Sequence, residues 1–131
     1  MDDGRAHAPS AEDGGDALGR RHDEVGGGTG LQRAGAGGDA FQEAIVDRIL
    51  PRLRSFRPDL ILVSAGFDAH EDDPLGGLRL REIDFGDVTK RLMEIADKYC
   101  GGRLVSLLEG GYDISALSRC VDAHVLALMG A

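Results

Sequence analysis

Cysteine is scarce in this 131-residue chain: Cys100 and Cys120 are the only two, and they lie far apart. They lack the close paired spacing of a disulfide framework and read as the reduced thiols of an intracellular protein. Long apolar runs are missing as well, for none approaches the roughly 18 residues that a membrane-spanning helix needs. The opening "MDDGRAHAPS" has no apolar stretch of the kind a secretion signal carries, so the expected location is the cytoplasm, with no membrane contact. Positive charge is also in short supply, with 15 Lys and Arg against 23 Asp and Glu, a net charge of −8 at pH 7. Nucleic-acid affinity rests on clustered Lys and Arg, so no direct nucleic-acid partner is expected. An acidic surface suits solubility or a cationic substrate.

The beginning of the chain has few aliphatic side chains. After Met1, residues 1–30 offer only Leu18 and Val25 beside eight Gly, seven acids and three Arg. Such a stretch cannot bury enough apolar surface to offset its ordering entropy. Residues 1–33 are therefore expected to form an irregular or disordered head. Their composition fits an out-of-frame stretch of a GC-rich gene as well as it fits a natural leader. His7 and His22 fall there and carry no readable role. The folding material is residues 34–131.

Within it, Phe41, Ile45, Ile49 and Leu53 recur at steps of four, the stripe of a helix laid on a core. Asp39 is its expected N-cap, and Pro51 implies a kink or break near its last turn. The run Leu60 to Val63 is apolar throughout between Pro58 and Gly66, as in a central parallel strand covered on both faces. Phe85, Val88, Leu92, Ile95 and Tyr99 form a second helical stripe, stopped by Gly101 and Gly102. Leu104 to Leu108 reads as a second short buried strand. A third helix follows, capped by Asp113 or Ser115, with Ile114, Leu117, Val121, Val125 and Leu128 expected inward. The order predicts an α/β fold in which a βαβ unit has a helix on either side. Its two parallel strands end on one sheet edge, where open α/β folds bind ligands. Asp68 and Tyr112 follow those ends and are expected to share a cleft.

Each residue at that edge admits two readings. Asp68 is either a turn cap or a ligand or acid/base group. His70 could join it on a metal, but a solvated loop histidine is the favoured reading, and Glu71, Asp72 and Asp73 read as a solvated acidic loop. Leu75 opens a Leu-Gly-Gly corner that could wall a pocket. Tyr112 stands after Gly110 and Gly111, which would let backbone approach a ligand closely. Its phenol is a neutral donor at pH 7, suited to a developing oxyanion, or it is simply packed at the sheet edge. His124, beside Cys120, Val121 and Val125 on its helix, reads as a structural histidine.

"RPDLILVSAGFDAHEDDPLGG", followed about forty residues later by "LEGGYD", resembles the C-terminal part of the zinc-dependent deacetylase family. That family comprises histone deacetylases, acetylpolyamine amidohydrolases and acetoin-utilisation proteins, with an arginase-like α/β fold of parallel strands and flanking helices. "RAGAGGDAF" is similar to the loop and helix that lead into the strand. The resemblance implies that Asp68 is a zinc ligand, that Tyr112 donates to the substrate carbonyl, and that Leu75, Gly110 and Gly111 line the acyl-lysine channel. It implies zinc as cofactor, an acetylated lysine or small acetylated amine as substrate, and attack by water on the acetamide with a histidine pair as base and acid.

The chain departs from that pattern. The family's tandem His-His is absent, and no Asp-x-His precedes Asp68. One carboxylate cannot by itself hold zinc in the usual three-ligand catalytic site. The expectation is a truncated, inactive part of a deacetylase. The alternative is a non-catalytic remnant or interaction module that self-associates through a sheet edge left exposed by missing strands.

Overall fold

The computed structural model describes residues 35–131, so the expectation of an irregular head lies outside the described residues. Helix α1 (Gly38–Ala44) runs through a π-helical turn (Ile45–Ile49) into α2 (Leu50–Phe56). The interruption falls just before Pro51, which has no N–H to donate and whose ring crowds the carbonyl four residues back, so one wider turn relieves it. Asp39 is not the N-cap: Gly37 occupies that position without a side-chain cap, and Asp39 sits in the first turn, where its charge complements the helix dipole.

Strand β1 (Ile61–Ala65) pairs in parallel with β2 (Leu104–Leu108), Ile61 opposite Leu104 and Ala65 opposite Leu108. Between them runs α3 (Glu82–Cys100), which ends as expected on Gly101 in the left-handed conformation. Helix α4 (Ile114–Leu128) follows β2 and is capped by Asp113, whose carboxylate accepts from the Ala116 N–H at 2.7 Å. The predicted order and parallel pairing are thus those observed.

The core lies on one side of the sheet. Ile61 packs with Ile45, Leu50, Ile95 and Cys100, while Ala65 and Phe67 pack with Leu80, Phe85 and Cys120. Coverage of both strand faces is not found among the described residues: Leu62, Val105 and Leu107 are 66%, 45% and 59% exposed on the opposite face. A continuous apolar run records how apolar a strand is, and says nothing of which element covers it. The inward face of α4 also differs from expectation. Leu117 and Val121 pack against the core as expected, but Ile114 and Val125 are exposed, and the fully buried positions are Ala116, Cys120, His124 and Ala127. Close approach to α3 explains the rotation, because Gly86 leaves room for the Ala123 carbonyl only 3.6 Å from where a Cβ would stand.

Candidate functional site

Sheet-like pairing continues past both strand ends. The Glu109 N–H donates to the Ala65 carbonyl at 3.0 Å and the Phe67 N–H to the Gly110 carbonyl at 2.7 Å. Phe67 is buried, with its ring edge-on to Phe85 at 5.2 Å, and it anchors the turn from which Asp68 emerges. The Asp68 carboxylate then lies flat against Gly110: a Cβ there would come within 2.7 Å of its Cγ and Oδ2. Gly76 closes the other side, where a Cβ would overlap the Asp68 carbonyl oxygen. Backbone contact requires glycine at position 76, while at position 110 an added Cβ would displace the Asp68 carboxylate.

Tyr112 is 55% exposed and Leu75 is 73% exposed, so neither is packed away. Gly111, at φ +139°, directs the chain into Tyr112 from a conformation other residues rarely adopt. The two loops are joined by Asp73. Its Oδ1 accepts from the N–H groups of Leu75 at 2.9 Å and Gly76 at 3.0 Å, and its Oδ2 accepts from the Tyr112 N–H at 2.7 Å. Asp73 is only 8% exposed, so the solvated-loop reading fails for it. Burial alone would raise its pKa, but donation from Tyr112, Leu75, Gly76 and Asp113 brings it below the ordinary carboxylate value. The available sequence signal was Asp-Pro-x-Gly, in which an Asp accepts from backbone N–H groups just ahead of it.

His70 also departs from the solvated reading, being 2% exposed. Its Nδ1 accepts from the Asp72 N–H at 3.0 Å and its Nε2 lies 3.4 Å from Glu82 Oε1. Asp72 and Glu82 are both bound by Arg119, at 2.9 Å in the first case, and Arg119 leads the causes that lower the Glu82 pKa. His70 thus packs the acidic loop beside the start of α3, its buried Nε2 making no hydrogen bond among the described residues. His124 is the structural histidine the sequence suggested. Thr89 Oγ1 donates to the Phe85 carbonyl and lies 2.7 Å from Nδ1, so Nδ1 carries the proton and Nε2 accepts from Ser106 at 2.9 Å. Burial lowers its pKa. An apolar recess of about 210 Å³ opens on the helix side of β1 beside His124 and Phe67, with neither Asp68 nor Tyr112 in its wall.

The donors near Asp68 do not complete a metal site. Among the described residues no group of three His, Cys, Asp or Glu side chains is arranged to hold a metal ion. Asp68 offers one ligand where zinc commonly takes three from the protein in a catalytic site. The half-buried Asp68, Gly110, Gly111 and the exposed Tyr112 thus follow the two strand ends at one sheet edge.

Comparison with known proteins agrees with the motif reading. Residues 28–128 match the histone deacetylase domain family. The chain is 47% identical over 103 residues to type-2 histone deacetylase 2 of Dictyostelium discoideum, covering 76% of this chain and 6% of that protein. It is 40% identical over 96 residues to a histone deacetylase-like amidohydrolase of Pseudomonas aeruginosa, covering 73% of this chain and 25% of that one. The solved structure of the histone deacetylase Clr3 superposes with a TM-score of 0.70 at 34% identity, covering 75% of this chain and 16% of the other. The chain thus spans a quarter or less of each of these relatives.

Proposed function

Because the chain belongs to the histone deacetylase family, we propose that its described part supplies one wall of a site for hydrolysis of acetylated amines, an acetylated lysine or a small acetylated amine. The carrying observation is the Asp68 carboxylate lodged against Gly110, with Tyr112 two residues further on and exposed. In this reading the Tyr112 phenol, neutral at pH 7, donates to the carbonyl oxygen of the acetamide as negative charge builds there. Gly110 and Gly111 let the acyl group approach the backbone, and Leu75 covers its apolar stem. Zinc is the proposed cofactor of the complete domain, with Asp68 giving one ligand. The described residues do not make the remaining ligand set, and no proton carrier of the His-His type occurs in the sequence.

This chain alone is therefore expected to release no acetate from an acetyl-lysine peptide in the presence of zinc. A general base contributes roughly 100 to 10,000-fold; the His-His pair that would supply it is missing from the sequence, and no second or third ligand joins Asp68 among the described residues. The positive test grafts residues 35–131 onto the remainder of the Pseudomonas aeruginosa relative. The graft should hydrolyse an acetylated substrate, and Tyr112→Phe should lower kcat on the order of 100 to 1,000-fold, the usual effect of losing one oxyanion donor. Unchanged turnover in that variant would remove Tyr112 from the chemistry. A second reading, self-association as an interaction module, is favoured by exposed Leu62, Val105 and Leu107 on the bare sheet face.

A further inference from the structure

We propose that Asp73 is the positioning residue of this site: its two carboxylate oxygens fix the turn that carries Leu75 relative to the backbone of Tyr112. The inference deepens the reading above, since it concerns how the proposed oxyanion donor is held.

Three observations carry it. A local turn needs one acceptor, and Oδ1 already serves that purpose through the N–H groups of Leu75 and Gly76, two and three residues on. Were Asp73 only a turn residue, Oδ2 would face water. Instead Asp73 is buried and Oδ2 takes the Tyr112 N–H from the loop that follows β2. The second observation is the backbone at Gly111. Its φ of +139° is one that side chains rarely adopt, and the residue immediately precedes the N–H from which Asp73 accepts. Glycine thus stands at the backbone position next to the Tyr112 N–H, in a conformation that suits it. The third is chemical. Asparagine or serine would cap the local turn equally well, but only a carboxylate accepts on both sides, because the second face of an asparagine amide is a donor.

The consequence reaches the phenol. A tyrosine hydroxyl stands far from its own Cα, so a small rotation of the backbone is amplified at the oxygen, and a displacement of about 1 Å can cost on the order of 100-fold in rate. Leu75 and Tyr112, both exposed, have few packing contacts to hold them. The shared carboxylate is what relates one to the other.

The inference is tested by amide hydrogen exchange and proton chemical shift on the full chain, with Asp73→Asn and Asp73→Ala beside the wild type. In Asp73→Asn the amide oxygen keeps Leu75 and Gly76 while the NH2 group opposes Tyr112. The Tyr112 amide should then lose about 10 to 100-fold of its protection, as expected for a bond to a charged acceptor, and move upfield. Leu75 and Gly76 should stay within a few-fold of wild type. In Asp73→Ala all three amides should become unprotected. The β1–β2 ladder amides serve as the internal control. An unaltered Tyr112 amide in Asp73→Asn overturns the proposal, and so does an equal loss across Tyr112 and the ladder, which is the signature of a merely structural residue. If Asp73→Ala does not fold, the Asp73→Asn comparison decides alone. Since no turnover is read, this outcome is independent of whether Tyr112→Phe impairs the graft.

Discussion

Gly110→Ala is the substitution whose outcome the geometry fixes most closely. The new methyl carbon would stand 2.7 Å from the Asp68 Cγ and Oδ2 and 3.0 Å from Oδ1. Non-bonded heavy atoms settle at about 3.5 to 4.0 Å, so one side has to retreat by roughly 1 Å. The backbone is poorly placed to do so. The Gly110 carbonyl accepts from Phe67 at 2.7 Å, and the neighbouring Glu109 N–H donates to Ala65 at 3.0 Å. Gly110 is not among the glycines at positive φ, so the cost comes from the clash and not from backbone strain. An Asp68 side chain forced off its rotamer costs about 0.5 to 1.5 kcal/mol, and general overpacking about 1 to 3 kcal/mol. The assay is a double-mutant cycle by urea denaturation with Gly110→Ala, Asp68→Ala and both together. Gly110→Ala should destabilise by about 1 to 3 kcal/mol, and most of that loss should vanish once Asp68 is alanine. Gly66→Ala, whose Cβ would lie 3.1 Å from Asp68 Oδ1, should show a smaller coupling of the same sign. Effects that add to within about 0.5 kcal/mol would refute the reasoning, because independent sites behave that way.

Two further outcomes are expected. His124 is buried in its neutral form with a lowered pKa, so its contribution to stability is complete above the ordinary histidine value of about 6.5 and is lost as pH falls toward its folded value, by at most about 1.4 kcal/mol per pH unit. Urea midpoints measured between pH 7.5 and 5.5 should fall in the wild type and flatten in His124→Gln; parallel curves would count against it. For the bare sheet face, size-exclusion chromatography of the wild type should show dimers or larger species that Leu62→Lys returns to monomer, and a wild-type monomer that binds no apolar dye would dismiss self-association.

Regular periodicity was the most readable feature of this chain. The steps of four from Phe41 to Leu53 and the stripe from Phe85 to Tyr99 identify helices that are present, and the glycine pair after Cys100 identifies where one stops. The motif pair around Asp68 and Tyr112 located the family on the strength of a few residues. What could not be read depends on how elements approach each other. Of the apolar stripe on α4, Leu117 and Val121 pack against the core while Ile114 and Val125 stay exposed, and the docking face is centred on Ala116, Cys120, His124 and Ala127. Small side chains let α4 come close to Gly86, and close approach outweighed hydrophobicity there.

Both polar misreadings, His70 and Asp73, fall in the loop behind Asp68. A run of acids in a turn ordinarily means solvent, and for Glu71 and Asp72, both exposed, it does. Burial of the other two depends on segments outside the loop, the start of α3 that lies 3.4 Å from His70 at Glu82 and the Tyr112 N–H after β2, which no local rule can supply. Departures from local rules are expected to gather at functional sites, but burial of a polar group is not by itself a mark of one. His124 is as well satisfied as Asp73, by Thr89 and Ser106, and both of its partners belong to the α3 and β2 framework. The partners of Asp73 are the backbones of Leu75, Gly76 and Tyr112, with a further bond from Asp113 at the α4 cap, and Leu75 and Tyr112 carry exposed side chains of the candidate site. A buried polar group that ties framework to framework stabilises the fold. One that ties two exposed loops to each other stabilises an arrangement the fold itself does not require, and that difference in partners is the reason to look for function at Asp73 and not at His124.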